Sequence, residues 1–354
     1  MKFDFLIVGQ GLAGSILAFE LIKNNKKVLV IDNNHNGSAS LVALGLINPL
    51  SGMRFTIPAD IDGWLLSAHR VYSDLGVIKN RIYFNDINTL RILRSSEQKR
   101  FLERNLKKLV DEEYIKEDYS LRSIQKNFKC PFGGFLQKKT GSIEVQKLLN
   151  DCKDWLKSCD SYMADKLDYD KIKISRTEIK IGCLKAKKII FCEGYRMSEN
   201  PWFKPLPLQP DKGEYFEIKN SQIACDKIIN GSSILLPKGK DIYHFGSTHQ
   251  HKEINELPSM VSQKKLINMQ NNFFMRREDC ELTAQYSGIR PSTSDRHPFI
   301  GHHPLEKKIY IFNGFGAKGC LTIPWYAEKL SEHLLQNRSL PPEADIGRFK
   351  DLFC

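Results

Sequence analysis

The amino terminus of the chain alternates between apolar runs and a glycine-rich turn. Residues 3–8 form a short apolar run, and after the glycines an apolar-periodic stretch extends to about residue 25. A second apolar run, 27–31, follows at once. Strand, tight turn, helix and strand in this order predict a βαβ unit at the start of the chain.

Several later stretches have the apolar spacing of amphipathic helices, and Asp60 stands where the first of them needs an N-cap. The spacing predicts helices over 60–75, 97–109, 141–156, 257–275 and 320–335. Beyond the last helix, Pro341 and Pro342 interrupt any regular element, and we expect a loosely attached end there.

Further apolar runs predict strands. Two of them, 187–192 and 307–312, are continuous and match the buried strands of the opening unit. Between the other elements the runs are shorter and interrupted by turn residues, which is typical of antiparallel sheets. The pattern places these interrupted strands within 81–93, 118–137, 213–218, 232–236 and 241–246.

Continuous apolar strands like those of the first βαβ unit therefore recur near residues 190 and 310. This predicts an α/β fold in which one domain is assembled from discontinuous segments. We expect a Rossmann-type nucleotide-binding domain built from 1–80, 140–205 and 285–354. An inserted α+β domain with an antiparallel sheet, expected to hold the substrate, comprises 81–139 and 206–284.

Length and composition agree with a two-domain globular protein of 354 residues, of which 41% are hydrophobic. No run of about 18 apolar residues is free of charge, and no basic leader precedes a cleavage site. We therefore expect neither a membrane span nor a signal peptide. The nine cysteines form no C-x-x-C pair, which favours a reducing, cytoplasmic location.

The formal net charge of +12 leaves two interpretations of the basic residues. One is a nucleic-acid or other anionic partner. The other is a Lys- and Asn-rich composition spread over solvated faces, as in the run from Lys185 to Lys188. We favour the second, because aromatic residues do not alternate with the basic ones as a base-stacking surface requires.

Residues 9–14 match the G-x-G-x-x-G pattern, and their context strengthens the match. Gly9 permits the tight turn, Gly11 lets the backbone approach a pyrophosphate, and Gly14 lets the helix pack on the strands. The helix N-terminus then presents amide donors to the phosphates. Asp32, at the end of the next strand, can accept hydrogen bonds from the ribose hydroxyls of an adenine dinucleotide.

A second glycine-rich turn, 314–319, precedes the last apolar helix and also predicts amide donors facing an anion. Upstream of it, the planar guanidinium of Arg290 suits a carboxylate. His302 and His303 are adjacent, and adjacent side chains on a strand point apart. With no third ligand evident, we expect no metal site.

Four segments of the chain resemble the D-amino-acid oxidase/glycine oxidase family of FAD-dependent oxidoreductases. They occur in the family order and extend over nearly the whole chain, and the last is the most specific. They are the small-residue loop 37–40 with its continuation 45–49; the strand and turn 188–194; the hairpin 235–237 and 245–248; and Gly288-Ile289-Arg290-Pro291, followed by Asp295, Pro298, Gly301 and the turn 314–319.

The resemblance implies an FAD cofactor and oxidation of a C–N bond by hydride transfer to the flavin, with later hydrolysis of the imine. Members with cysteine-linked flavin have that cysteine where Gly288 aligns, so we expect non-covalent FAD. The residues expected to contact the cofactor are Gly9, Gly11, Leu12, Ala13, Gly14, Asp32, Ser38, Ala39, Ser40, Gly45, Leu46, Gly194, Gly288, Ile289, Arg290, Gly314, Phe315, Gly316, Ala317, Lys318 and Gly319.

The resemblance also suggests the residues that act on the substrate. Arg290 is expected to anchor the substrate carboxylate, with a structural salt bridge, for example to Asp295, as the alternative. Lys318 is expected to add positive charge at the flavin, with a solvated loop lysine as the alternative. Arg54 and Tyr215 are further substrate-binding candidates. The alternatives are that Arg54 is a surface arginine and that Tyr215 serves only packing.

The chain departs from glycine oxidases at two places. Ser233 and Ile234 stand where those enzymes have a tyrosine, and Ala317 stands where they have an arginine, which argues against glycine itself as the substrate. The Gly-x-Gly-x-Lys-Gly form of the 314–319 turn is more similar to the corresponding turn in the FAD domain of the bacterial tRNA wobble-uridine modification enzyme than to that of glycine oxidases. Three hypotheses follow: a small-amine or amino-acid oxidoreductase, a flavoenzyme acting on carboxymethylaminomethyl-uridine in tRNA, and a non-catalytic flavin-binding protein.

Overall fold

A computed structural model describes residues 1–34, 38–50, 52–116, 124–223, 225–252 and 254–353. The helices are α1 (Leu12–Lys23), α2 (Ile61–Lys79), α3 (Ser96–Asp111), α4 (Val145–Ser158), α5 (Met260–Phe273) and α6 (Gly319–Gln336). The strands are β1 (Lys2–Val8), β2 (Val28–Asp32), β3 (Leu46–Ile47), β4 (Phe84–Asp86), β5 (Thr89–Ile92), β6 (Ile115–Lys116), β7 (Gly134–Gln137), β8 (Gly141–Ile143), β9 (Tyr162–Ala164), β10 (Ile172–Ile174), β11 (Ile179–Ile181), β12 (Leu184–Phe191), β13 (Asp211–Lys219), β14 (Ile228–Asn230), β15 (Ile234–Gly239), β16 (Ile242–Gly246), β17 (Glu281–Arg290), β18 (Phe299–His302) and β19 (Ile309–Asn313).

The first sheet has the order β10-β11-β12-β1-β2-β9, and β19 pairs with β12 and with β18. The pairs β1–β12, β1–β2, β2–β9 and β12–β19 are parallel. Leu6 and Ile7 on β1 are fully buried, as continuous apolar strands covered on both faces require. The predicted βαβ opening and the Rossmann-type sheet are confirmed.

The second sheet has the order β17-β13-β16-β15-β14-β5-β7-β6, and only β14 and β5 pair in parallel within this order. Phe216 and Phe245 pack on one face against Leu266 and Phe273 of α5. Because side chains alternate along a strand, Tyr215 and His244 lie on the opposite face. A third, small sheet has the order β3-β8-β4.

The strands of the first sheet come from 1–80, 140–205 and 285–354. Those of the second come from 81–139 and 206–284, except that β17 runs past residue 285. The division into two domains remains a prediction, and this distribution of strands supports it.

Three sequence-based expectations differ from the structure. Residues 141–143, expected to be helical, form β8, and the helix begins at Val145. Within the expected strands at 118–137, the described residues 124–133 are largely turns and only β7 is extended; 118–123 lie outside the described residues. Asp60 occupies the N-cap position of α2, but its side chain makes no capping hydrogen bond.

The end of the chain is also packed rather than loosely attached. Ile346 is fully buried in the core beside β18 and β19. Arg348 donates from Nε to Oδ2 of Asp295 at 2.9 Å. The helix α6 ends at Gln336, before the two prolines, and the apolar residues after them return to the core, so the expectation of a loosely attached end is wrong.

Among the described residues, none of the helices combines the length and the apolar character needed to cross a bilayer.

Candidate active site

A cavity of about 490 Å³ lies at the carboxyl ends of the parallel strands, where open α/β sheets bind their ligands. Its walls come from the turn after β1, the loop before β3, the turn after β12 and the start of α6. On the other side it is closed by β13, β15 and β17 of the second sheet and by residues that follow β16. The cavity therefore lies between the two large sheets.

Close backbone packing explains two glycines of the first turn. Gly9 has φ +100°, and a Cβ there would lie 2.6 Å from the Cys192 carbonyl oxygen. A Cβ on Gly14 would lie 1.9 Å from the Gly9 carbonyl oxygen. Both distances are far below van der Waals contact, so only glycine lets the turn after β1 pack this closely against the end of β12 and against the start of α1.

The middle glycine of the motif faces the cavity. Gly11 is the N-cap residue of α1, and a Cβ on it would lie 3.2 Å from Ser40 Oγ. Ser40 Oγ accepts a hydrogen bond from the Leu12 amide at 3.1 Å. The helix N-terminus and the small residues 38–40 thus form a shallow cradle for an anion. Gly37, at the start of this loop, lies outside the described residues.

Asp32 lies at the end of β2 and lines the same cavity. Its Oδ2 accepts a hydrogen bond from the Gln10 amide at 3.0 Å, and its Oδ1 accepts one from the Asn34 amide at 2.8 Å. The carboxylate therefore fixes the glycine turn. Its predicted contact with a ribose remains a prediction, and each oxygen retains a lone pair for it.

The second glycine turn leads into α6, which begins at Gly319. Gly314 has φ +83° and Gly316 has φ +51°, conformations that favour glycine. Lys318 is the N-cap residue of α6 and is exposed to solvent. Protein atoms around its ammonium nevertheless remove part of its hydration, which lowers its pKa, and the positive charge of Arg296 lowers it further.

Arg290 ends β17 and carries the densest polar cluster in the cavity wall. Its Nη1 donates to Asp211 Oδ2 at 2.8 Å and to the Thr248 carbonyl oxygen at 3.3 Å. Its Nη2 donates to Ser247 Oγ at 2.7 Å. The alternative, a structural salt bridge, is therefore present, but its partner is Asp211. The partner named as an example, Asp295, is wrong, because it pairs with Arg348.

Two glycines make room for this arrangement. A Cβ on Gly213, the neighbour of Gly288 across β13 and β17, would lie 2.1–2.5 Å from the guanidinium atoms of Arg290. The guanidinium therefore lies directly over the backbone of β13. A Cβ on Gly288 would lie 2.2 Å from Cγ2 of Val42, so any side chain at this position would require Val42 to shift.

The structure brings most of the predicted site residues to one cavity. Those that line it are Gly9, Gly11, Leu12, Ala13, Asp32, Ser38, Ala39, Ser40, Gly45, Leu46, Gly194, Tyr215, Gly288, Ile289, Arg290, Phe315, Gly316, Ala317 and Gly319.

Four predicted residues do not line the cavity: Gly14, Gly314, Lys318 and Arg54. Gly14 supports the first turn and Gly314 the second, through close packing. The exposed Arg54 places its guanidinium 5.4 Å from the ring centroid of Phe101 on α3. The Arg54 side chain thus lies against α3, away from the predicted substrate site.

Tyr215 forms part of an aromatic group on the cavity side of the second sheet. Its ring stacks on Tyr286 with the ring centroids 5.1 Å apart, and the ring of His244 lies 4.8 Å away. Burial raises the pKa of the Tyr215 phenol. Burial also lowers the pKa of His244, although Glu217 opposes this. Both side chains are packed, and Tyr215 in addition lines the cavity.

Sequence reasoning missed four polar residues of the cluster and its surroundings: Asp211, Ser247, His249 and Glu193. Asp211 lies on the neighbouring strand β13, whereas Ser247 and His249 follow β16, and no local motif marks their contacts with Arg290. Glu193 lies beside Gly194 and was visible only as part of a turn. Burial raises the pKa of its carboxyl to about 7, although hydrogen bonds from other side chains oppose this.

The cavity fits the FAD that the resemblance implies. The N-termini of α1 and α6 both open onto it and supply amide donors for the pyrophosphate and for a second anionic group. Asp32 stands at the first of these ends. In the part of the chain that the structure describes, no three His, Cys, Asp or Glu side chains group as metal ligands.

A glycine-turn cavity joined to a polar cluster on an antiparallel sheet defines a flavin-dependent oxidoreductase. A model of the DAO family, described as FAD dependent oxidoreductase, matches residues 4–333. This match spans far more than half of the chain, and the protein belongs to that family. FAD is therefore its cofactor.

Curated relatives share this family. A glycine oxidase of Bacillus licheniformis is 21% identical over 95% of this chain and 94% of its own length. The tRNA 5-methylaminomethyl-2-thiouridine biosynthesis bifunctional protein MnmC of Leptospira interrogans is 22% identical over 96% of this chain, which spans 58% of that protein.

Solved structures show the same fold. The glycine oxidase of Geobacillus kaustophilus superimposes with a TM-score of 0.81 at 18% identity, covering 98% of both chains. The iminodiacetate oxidase of Chelativorans sp. BNC1 gives a TM-score of 0.78 at 18% identity, again over 98% of both chains.

Proposed function

We propose that this flavoprotein oxidises a C–N bond of a small amine or amino acid that carries a carboxylate. The observation that carries the proposal is the position of Arg290. Its side chain is only 17% exposed, lines the FAD cavity and lies on the side formed by the second sheet. A partly buried cation there gives a substrate carboxylate a fixed anchor.

The hydrogen bonds of Arg290 leave one side of its guanidinium available. Both hydrogens of Nη1 are engaged by Asp211 and Thr248, and one hydrogen of Nη2 by Ser247. Among the described residues, Nε and the second Nη2 hydrogen have no hydrogen-bond acceptor. We expect these two donors to form the side-on fork that binds a carboxylate in bidentate fashion.

When bound, FAD supplies the acceptor for the hydride that leaves the carbon of the C–N bond. The residues of the chain supply position: Arg290 holds the carboxylate, and Tyr215 and Ile234 bound the same wall. The amine must be neutral, since its lone pair assists departure of the hydride. The imine product then hydrolyses to a carbonyl compound and an amine or ammonia.

Two similar proteins support this substrate class through their names, glycine oxidase and iminodiacetate oxidase. Both named substrates combine an amine with a carboxylate. The similarity to MnmC supports a second candidate, oxidation of a carboxymethylaminomethyl-uridine side chain in tRNA, which has the same two groups. A cytoplasmic location also remains a proposal.

The test is anaerobic bleaching of the flavin absorbance with sarcosine, glycine, iminodiacetate, D-amino acids and bulk tRNA carrying the modified uridine. We expect a small carboxylate-bearing amine to bleach the flavin. Bleaching by the tRNA alone would favour the second candidate. No bleaching by any of these compounds would favour a non-catalytic flavin protein and contradict the proposal.

A further inference from the structure

A carboxylate–histidine pair lies beside the Arg290 anchor. Asp211, at the start of β13, has a side chain only 6% exposed, and its Oδ2 lies 2.6 Å from Nδ1 of His249. The same oxygen accepts from Arg290, and Oδ1 accepts from the Gln250 amide at 3.2 Å. Two consecutive residues after β16, His249 and Gln250, and Arg290 on β17 therefore hold this carboxylate in place.

The pair fixes which nitrogen of the imidazole carries its hydrogen. Burial favours the neutral form of Asp211, but hydrogen bonds and charges from His249 and Arg290 outweigh it and lower the pKa. An ionised carboxylate only accepts hydrogen bonds, so Nδ1 of His249 must donate. In the neutral ring, Nε2 is then the basic nitrogen, as in other carboxylate-oriented histidines.

The imidazole is also in the right place to meet a ligand. His249 lines the cavity, and its side chain is 61% exposed. Among the described residues that line this cavity it is the only histidine. The titratable groups that contact it are Asp211 on β13 and Arg290 on β17, whose Nη1 lies 3.4 Å from its Nδ1. The anchor for a carboxylate and this base thus share one wall.

We propose that Nε2 of His249, oriented by Asp211, accepts the proton that the substrate ammonium loses before its C–N bond is oxidised. This inference rests on the proposed function. An N–H bond of the ammonium breaks, its electron pair stays on nitrogen, and the proton goes to Nε2. No electrons are transferred in this step. Asp211 offsets the charge of the resulting imidazolium, which passes its proton to solvent.

A base of this kind changes how flavin reduction depends on pH. Histidine changes charge between about pH 5 and 8, whereas small aliphatic amines do so near pH 10. With the base present, the second-order rate of flavin reduction reaches a plateau between the two ionisations. Without it, the rate follows the fraction of neutral amine and rises about tenfold per pH unit through the same range.

The experiment is anaerobic stopped-flow reduction of the FAD-loaded protein between pH 6 and 10, with sarcosine, glycine and iminodiacetate as probes. H249Q is compared with wild type, and H251Q, which changes an exposed histidine of the same loop, is the matched control. We expect H249Q to be at least tenfold slower at pH 7.5, to lose the plateau, and to approach wild type near pH 10. H251Q should retain the plateau.

A second variant, H249A, tests the chemistry directly, since added imidazole should restore at least part of the rate at pH 7.5. D211N should also distort the plateau, because its amide no longer fixes the tautomer. Retention of bound FAD and an unchanged flavin spectrum show that each variant is folded. A plateau that persists in H249Q overturns this inference and leaves the proposed function intact. Failure of wild type to be reduced by any probe overturns both.

Discussion

The guanidinium of Arg290 donates hydrogen bonds to the protein from Nη1 and Nη2, and the residue also lines the cavity. Asp211, Ser247 and Thr248 hold one side, and this orients the remaining Nε–Nη2 fork. A lysine at this position would keep the charge and could still pair with Asp211, but it has no planar fork. The proposed anchoring by Arg290 therefore depends on geometry as well as on charge.

The variant R290K should lose its preference for carboxylates. We expect the ratio of flavin reduction rates with sarcosine and with sarcosine amide to fall by about 10- to 100-fold, which corresponds to about 1.4–3 kcal/mol and matches the loss of charged hydrogen bonds. Rapid-reaction kinetics measure this ratio. R338K, at an arginine with a 61% exposed side chain, serves as the control. An unchanged ratio in R290K would remove the anchoring role.

Glu193 makes the stability of the protein depend on pH. Tyr169 donates to its Oε1 at 2.6 Å and Asn200 to its Oε2 at 2.7 Å. Burial, the largest cause, nevertheless raises its pKa from 4.5 to about 7. The folded state therefore binds more protons than the unfolded state between these values, and the contribution of Glu193 to stability is lost as the pH rises through about 7.

We expect E193Q to remove this dependence. Relative to wild type, its free energy of unfolding should rise by up to about 3 kcal/mol between pH 4.5 and pH 8. Urea unfolding at both pH values measures the change, and E281Q, at an exposed glutamate, is the control. Parallel pH profiles for wild type and E193Q would show that the carboxyl titrates normally.

At the level of residues, local motifs were predictable and contacts between distant strands were not. Gly9, Gly14 and Asp32 follow from a short pattern, because the tight turn and the helix entry are local requirements. Asp211 and His249 are 38 positions apart in the chain, and only the pairing of strands brings them together. Sequence reasoning therefore found Arg290 but not its partners.

Among the elements, α6 contains a proline, and a neighbouring helix supplies the hydrogen bond that this proline cannot make. Pro324 lies inside this helix and has no N–H to donate to the carbonyl oxygen of Cys320. The hydroxyl of Tyr72 on α2 donates to that oxygen at 2.7 Å in the core. The helix that begins at the second glycine turn thus remains continuous because a neighbouring helix supplies the missing donor.

The variant Y72F should leave this buried carbonyl without a donor and lower the free energy of unfolding by about 1–3 kcal/mol. In P324A the helix regains its own N–H donor, so Y72F should cost clearly less in that background. Urea unfolding of wild type, both single variants and the double variant gives the coupling energy. Strictly additive effects would contradict the compensation.

Element types were largely predictable from periodicity, and errors arose where tertiary structure decides. The residues of the short strand β8 were expected to begin a helix. Gly141–Ile143 is extended instead, because it pairs with β3 and β4, and the sequence does not reveal this pairing. The order of the second sheet was beyond sequence reasoning, since the parallel pair β14–β5 joins segments that are more than 130 residues apart.

For the whole molecule, the charge of +12 is the property that bears on a tRNA partner. Several basic side chains already have acidic neighbours. In the run from Lys185 to Lys188, Lys187 lies 2.7 Å from Asp4, and Lys185 lies 3.5 Å from Glu178. These pairs agree with a composition spread over solvated surfaces rather than one surface reserved for an anionic polymer.

We therefore expect weak, non-specific binding of bulk tRNA, with a Kd no tighter than about 1 μM at 150 mM salt. Fluorescence anisotropy of labelled tRNA over a series of salt concentrations measures the affinity and its salt dependence. Saturable nanomolar binding at 150 mM salt would contradict this expectation and favour the tRNA-modifying candidate.

The close approach of Gly288 to Val42 has a consequence for how the protein is supplied with its cofactor. Because a glycine packed against Val42 stands here and offers no thiol for a covalent link, we expect the flavin to be held by reversible contacts, so that its occupancy follows the concentration of free FAD. Dilution should release the coenzyme, and excess coenzyme should raise the melting temperature. The same reversibility opens the cavity to exchange, so that flavins with altered redox potentials can be introduced into the folded protein.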